Sequence, residues 1–453
     1  MANFDAAARR VMDDPGAVLE PQCILSACAA VEYRWRRRVL DPVLTIVAMA
    51  VQVMHRNAAI AHVVRLMHAG FSESAYCQAR QRLPLEVLTR LLGMMTAGVR
   101  ARTHAPEAPG WWRGHRTLLI DGTGVSMPDT PALAAHFGYP GSVRPGCGFP
   151  VARLLAVFDA ATGLLTDALA APFCTGEQRL AARVHALLRP GDVLVGDRGF
   201  GSFAQVAVLL ALGVHGVFRH NGRRERARTG RRGKRGRPSR RPHGGHPPTT
   251  LVRRLGRGDE LVEWARRAKA VWLSPEEFER LPRTLTMRVV RRRTGRPGWR
   301  TRELVVVTTL LDPVRYPAAA IAELYGVRWS IENSLRCLKQ TMGMDVLRCR
   351  SVEGVRKELA MFALVYNLVR LVMLESAARQ GVEPSRVSFA DALRWLACAD
   401  ADEPVPRLKI NPRRADRWEP RFIKRRPSRA YPLLTLPRPK ARDYVLKHQR
   451  RLI

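Results

Sequence analysis

From Thr117 to Arg219 short apolar runs of strand length are joined first by tight turns and then by amphipathic helices, an order that a mixed α/β sheet accommodates and an all-helical bundle does not. Thr117–Ile120, Arg153–Phe158 and Leu164–Phe173, the last two joined by a turn at Thr162–Gly163, predict a three-stranded meander. Glu177–Leu188 then has helical spacing, Val193–Val195 is a fourth strand, Phe203–Leu212 a second helix and Val214–Arg219 a fifth strand.

The flanks differ in character. From Phe4 to about Arg102 the chain is rich in Ala, Leu, Val and Met at helical spacing, so a helical domain precedes the sheet, with Ala105–Gly110 as a linker. It carries basic clusters, Arg34 with Arg36, Arg37 and Arg38 beside Trp35, and later Arg80 and Arg82; the turn Phe71–Tyr76 feeding the Arg80/Arg82 face is a candidate recognition helix, but a solvated face is the plainer reading. The run RRERARTGRRGKRGRPSRRPHGGHPP, inside Arg219–Gly258, has almost no apolar residues and is expected to be flexible unless an anion orders it. Strand and short helical signals return over Leu261–Val290, Arg302–Thr309 is a strong strand, and Pro317 opens a helical region. The tail after Ala378 is mixed and ends in an extended Arg- and Pro-rich segment, Arg421–Lys440.

Composition sets the partner. Lys and Arg number 76 against 39 Asp and Glu in 453 residues, a formal charge of +37, and nucleic acid is the polyanion that best balances it. A membrane is disfavoured, because the most apolar stretch, Val43–Met54, is too short to span a bilayer and reads as a core helix. The first residues, with Asp5, Asp13 and Asp14, lack a signal-peptide pattern, so a cytosolic protein is expected. Eight cysteines without a C-x-x-C spacing suggest reduced core thiols rather than a zinc cage.

The chemistry gathers on few residues. In YGVRWSIENSLRCLK a continuous helix would bring Tyr325, Arg328, Glu332, Arg336 and Lys339 within an arc of roughly 80° at 3.6 residues per turn. One carboxylate among cations and a phenol suits a metal-dependent site on a phosphate backbone, although that stretch taken alone reads first as an exposed helix with an Arg328–Glu332 pair at i,i+4. Further carboxylates would come from strand ends. Asp121 ends TLLI before Gly122-Thr123-Gly124, and Asp197 ends VLVG in VGDRGFG; if the first and fourth strands are neighbours the two acids converge. Asp129, Asp159 and Asp192 are weaker candidates, the first two in turns and the last ahead of its strand.

With these residues in place the chain resembles the bacterial insertion-sequence transposases of family four, DDE enzymes with a Tyr-x2-Arg-x3-Glu-x6-Lys signature, here Tyr325, Arg328, Glu332 and Lys339. LLIDGTGVSMPDT, with Phe137-Gly138 beyond it, and VLVGDRGFG match the two acidic blocks, and the likeness runs from QARQRL near residue 80 to about Arg370. It implies an α/β, ribonuclease-H-like mixed sheet over residues 109–218 and 301–375, broken by a basic, β-rich insertion at 219–300. A helical DNA-binding domain at 1–108 would precede it, and a mostly helical region at 376–453, for dimerisation or DNA contacts, would follow.

The same resemblance implies cut-and-paste transposition: an end is nicked, the freed 3′-hydroxyl forms a hairpin, the hairpin opens, and the 3′-hydroxyl attacks target DNA. Asp121, Asp197 and Glu332 would hold two Mg²⁺ ions, with Mn²⁺ as a substitute. Tyr325, Arg328 and Lys339 would contact backbone phosphate, with Arg198 and Arg336 as adjacent donors. Trp299, Trp272 and Trp264 are candidates to stack on a flipped base, Trp299 lying closest before the Glu332 helix. The implied partners are double-stranded DNA, as terminal inverted repeats and target, and a second copy of the chain in the synaptic complex; the setting is the bacterial cytoplasm, at the nucleoid, with no membrane. Two other readings use the same residues: a transposase-derived DNA-binding protein without activity, and a nuclease of the same superfamily that cuts without joining.

Overall fold

The computed structural model describes residues 20–36, 38–68, 70–102, 111–140, 148–220, 247–266, 270, 272–293, 303–398, 404–412, 440 and 443. The amino terminus, the Ala105–Gly110 linker, the Arg223–Arg241 run, Trp299 and, apart from Lys440, the Arg421–Lys440 tail lie outside the described residues.

Five helices come first: α1 (Pro21–Ala30), α2 (Pro42–Met54), α3 (Ile60–Met67), α4 (Glu73–Arg82) and α5 (Leu85–Arg102). Then follow β1 (Thr117–Ser126), α6 (Pro131–Phe137), β2 (Val151–Asp159), β3 (Leu165–Pro172), α7 (Glu177–Val184), β4 (Val193–Gly196), α8 (Phe203–Ala211) and β5 (His215–Arg219). Next are β6 (Thr249–Gly256), β7 (Asp259–Ala265), α9 (Pro275–Glu279), β8 (Thr284–Arg293) and β9 (Glu303–Thr308). The chain continues with α10 (Ala318–Val327), α11 (Trp329–Arg336), a π-helical turn at Cys337–Thr341, α12 (Val352–Gln380) and α13 (Phe389–Cys398). Side chains start several of these helices: Asp41 caps α2 ahead of Pro42, and Ser72, Thr130, Ser202 and Ser351 cap α4, α6, α8 and α12 by accepting an amide N–H of the first turn.

The chain forms two compact units, one of residues 1–109, 122–175 and 332–453, the other of 110–121 and 176–331. The first is built on α12, against which α2, α5, α13 and β3 pack. Phe362, Val365 and Val369 of α12, Ile46, Met49 and Val53 of α2, and Leu88 and Leu91 of α5 are all buried. α12 is also much longer than the helix that holds Val43–Met54, 29 residues against 13. A window of α12 has a mean hydropathy of 1.6, and 78% of it is buried inside the protein, so its apolar character is that of a core helix.

In the same unit β2 and β3 form an antiparallel hairpin turning at Gly163, whose φ is +72°. A Cβ there would lie 2.2 Å from Arg370, whose guanidinium donates to Thr162 O, so only glycine fits both the backbone and the neighbour. Asn367 completes the join, accepting from Leu165 N and donating to Leu165 O.

In the second unit β1 pairs in parallel with β4 and β4 with β5, and β5 pairs antiparallel with β9, which leads on through β8 and β7 to the edge strand β6. The strands between Thr249 and Arg293 therefore extend one mixed sheet. Arg288 is fully buried in it, donating to both Asp259 oxygens and to the Leu310, Asp312 and Tyr316 carbonyls. That pair ties β7 and β8 to the loop that leads into α10.

Candidate active site

β1 and β4 run in parallel with Ile120 opposite Gly196, so Asp121 and Asp197 are the next residues along two adjacent strands. Close approach depends on glycine: a Cβ on Gly196 would lie 2.9 Å from Ile120 Cγ2, and one on Gly201 2.9 Å from Phe218 Cβ. The sequence placed Asp121 at a strand end, but β1 continues through Gly122 and Gly124 to Ser126, and only its pairing with β4 stops at Ile120. Asp197 does leave its strand, at the start of a 3₁₀ turn over Arg198–Phe200 that carries Arg198.

Helix α10 ends at Val327, and Arg328 keeps helical geometry and leads into α11. Tyr325 and Arg328 are both buried, the guanidinium 5.7 Å from the centre of the phenol ring. Arg328 Nη1 reaches Asp121 Oδ2 at 3.5 Å. Burial pushes the Tyr325 phenol up to about 12, with the charge of Asp197 adding to the rise and Arg328 and Arg219 opposing it. Arg219, at the end of β5, was not singled out from sequence; its only signal is a basic residue closing an apolar strand.

Within this unit Asp121, Asp197, Tyr325 and Arg328 thus share one neighbourhood. Asp197 Oδ1 is buried and accepts no hydrogen bond among the described residues. A buried carboxylate oxygen without a donor is costly unless a cation satisfies it, and two aspartates side by side offer the hard oxygen ligands that divalent ions prefer. No group of three His, Cys, Asp or Glu among the described residues forms a ready-made metal cage, and Asp121 is held by Arg328.

Glu332 lies in the first turn of α11, four residues after Arg328, and belongs to the other unit. The even stripe expected over residues 325–339 does not persist: α-helical geometry stops at Arg336, and Lys339 sits in the π-helical turn. The wider turn moves Lys339 out of α-helical phase, and such turns recur at functional sites. Lys339 Nζ donates to Thr123 Oγ1 at 3.1 Å and to Gly124 O at 2.8 Å, just beyond Asp121 in sequence. Arg336 donates to Asn333 Oδ1.

The remaining acids have structural work. Asp192 is buried in an ion pair with Arg116, Asp159 accepts the amide and hydroxyl of Thr162 in the hairpin turn, and Asp129 accepts the Tyr139 hydroxyl. Among the tryptophans, Trp264 is 0% exposed and packs in the core near His220, while Trp272 is half-buried edge-on to His185. Core position removes Trp264 as a stacking candidate. Trp329, directly after Arg328, is 60% exposed.

Residues 112–368 match the family model described as the Transposase DDE domain. The transposase InsG for insertion sequence element IS4 of Escherichia coli K12 is 27% identical over 450 residues, which cover 92% of this chain and 93% of that protein. InsZ of the same organism is 32% identical over 185 residues, 38% of this chain and 59% of that one. Among solved structures, a piggyBac transposase synaptic complex with hairpin DNA is similar at a TM-score of 0.40 and 9% identity, covering 88% of this chain and 80% of that one.

Proposed function

The chain belongs to the DDE transposases of insertion sequences, enzymes of phosphoryl transfer on DNA, and from that premise we propose that Asp121, Asp197 and Glu332 are its catalytic, metal-holding acids. The observations that carry the reading are the pairing of β1 with β4, which sets Asp121 beside Asp197, and the buried Asp197 Oδ1, which has no donor among the described residues. Glu332 follows Arg328 by one helical turn and supplies the third acid. The catalytic core is ribonuclease-H-like, a reading supported by an antiparallel β2–β3 hairpin and by β1, β4 and β5 running parallel. Strands β6–β8 form its insertion.

The family uses divalent cations, and Mg²⁺ is the ion proposed here, with Mn²⁺ as a substitute. Two such ions, when bound, activate water or a 3′-hydroxyl and stabilise the leaving oxygen of an in-line displacement. The chain's own residues do the rest. Tyr325 stays protonated and its hydroxyl donates to phosphate, Arg328 turns from Asp121 to a phosphate oxygen when DNA enters, and Arg198 and Arg336 add cationic donors. Lys339 holds the Thr123–Gly124 segment and presents its charge to the same backbone. Trp299 remains the proposed stacking partner of a flipped base.

The reaction is cut-and-paste transposition through a hairpin, acting on terminal inverted repeats and target DNA within a homodimeric complex, at the bacterial nucleoid. A labelled transposon end incubated with Mg²⁺ tests this. Hairpin and strand-transfer products that disappear with Asp197→Asn support it. Cleavage without joining identifies a nuclease, and tight binding without metal-dependent product identifies an inactive DNA-binding descendant.

A further inference from the structure

The helical unit contains a cavity of about 550 Å³ that the catalytic reading does not use. It lies between α2, α4 and the start of α12, and its charged lining consists of Arg80, Arg348, Arg350, Lys357 and a single carboxylate, Glu353. The cations come from three places in the chain: Arg80 from α4, Arg348 and Arg350 from the segment before α12, and Lys357 from the second turn of α12.

Arg80 and Lys357 are fixed by their surroundings, while Arg348 and Arg350 are exposed on a segment whose backbone is held. Arg80 lies over the Tyr76 ring at 5.4 Å and donates through Nη2 to Cys349 Sγ at 3.1 Å. Lys357 is buried, with Nζ on Gln81 O at 2.8 Å and on Glu353 Oε1 at 2.6 Å. The segment carrying Arg348 and Arg350 is pinned from below, because buried Glu358 accepts the amides of Arg348 and Cys349 and the side chain of Asn57. Burial pushes the Cys349 thiol up to about 12, so no thiolate offsets the positive lining. The N-terminus of α12 is not what carries the site, since Ser351 Oγ already takes the Gly354 amide.

Two held cations, Arg80 and Lys357, with the exposed guanidiniums of Arg348 and Arg350 at the rim of the same cavity, suit a tetrahedral oxyanion, because guanidinium forks match pairs of phosphate oxygens. We infer that this cavity binds phosphate, and specifically a phosphodiester of a DNA strand running over the helical unit, outside the carboxylate site. The inference rests on the transposase reading for the source of the phosphate and on the geometry alone for its chemistry. It also gives Arg80, which from sequence read either as a recognition face or as a solvated one, a defined task.

Two exposed-site variants test it with opposite signs. Arg348→Glu combined with Arg350→Glu reverses charge on the rim, whereas Glu353→Gln removes the one lining carboxylate and releases Lys357. Fluorescence anisotropy of a labelled transposon-end duplex across a salt series is the first readout, and the shift in thermal midpoint with inorganic phosphate is the second. The expected result is a salt slope smaller by about one to two for the double charge reversal, each lost phosphate contact removing roughly 0.9, and about tenfold weaker binding in low salt. Glu353→Gln should bind tighter, and phosphate stabilisation should follow the same order. If the phosphate shift falls but the DNA slope does not, the cavity takes free anion and the DNA assignment is overturned. If neither variant moves either readout, the inference is wrong. If wild-type protein shows the phosphate shift but never cleaves a transposon end, the functional reading fails while the anion site stands.

Discussion

Arg328 Nη1 lies 3.5 Å from Asp121 Oδ2, placing a fixed cation against a carboxylate proposed to hold a mobile one. The two compete for the same oxygen. Arg328→Ala should therefore bind Mn²⁺ more tightly than wild type in the absence of DNA, measured by electron paramagnetic resonance titration. It should also cleave DNA at least about tenfold more slowly, roughly 1.4 kcal/mol of transition-state stabilisation, because the phosphate loses its partner. Unchanged metal affinity would show that the pair is structural only.

Asp197 Oδ1 is a buried acceptor with no donor among the described residues, so its isosteric amide tests the site most directly. Asp197→Asn keeps the shape but brings N–H groups where a cation should sit. Cleavage of a labelled end should fall to background, while duplex affinity stays within about twofold, since little of the contact to DNA phosphate runs through a metal ligand. Glu332→Gln should behave alike, and normal cleavage by either variant would refute the three-acid assignment.

The support beneath α10 can be tested by stability. Arg288→Met leaves Asp259 charged and buried without its partner, which should cost about 3–5 kcal/mol in chemical denaturation. Pairing it with Asp259→Leu should restore much of the loss, because the uncompensated charge is gone. A full additive loss in the double variant would mean that packing, not charge, sets the cost.

Tyr325 predicts an alkaline effect. Its folded value of about 12 lies above the ordinary 10.0, so the unfolded chain loses the proton first as pH rises. The contribution to stability is complete below about pH 10 and is lost as pH climbs toward 12. Wild type should thus lose stability faster than Tyr325→Phe over that window in denaturant titrations, and the two should run parallel between pH 6 and 9. Parallel curves throughout would mean that the phenol is not held neutral by its burial.

Lys339 bridges to Thr123 and Gly124, so part of its effect on catalysis should pass through that segment. Lys339→Ala and Thr123→Val should each slow cleavage, and the double variant should be slower than wild type by less than the product of the two effects. Fully multiplicative effects would assign Lys339 to phosphate alone.

Much of this protein was legible in its order of residues. The strand and helix sequence from Thr117 to Arg219 follows from hydrophobic period and the Thr162–Gly163 turn from glycine, because these signals are local and act within a few residues. The fixed spacing of Tyr325, Arg328, Glu332 and Lys339, with the acidic blocks around Asp121 and Asp197, was enough to identify the family.

What required the tertiary structure depends on contacts between residues far apart in the chain. The 3.6-residue period over residues 325–339 carried no sign of the π-helical turn, in which Lys339 meets Thr123 and Gly124 from far away in the chain. Nor could apolar composition tell a membrane-length helix from a core one: α12 is buried because helices and a strand from both ends of the chain pack around it. The partner of Asp192 was decided by strand register, which sets Arg116 beside it, and that of Asp121 by the end of α10, which brings Arg328 to it.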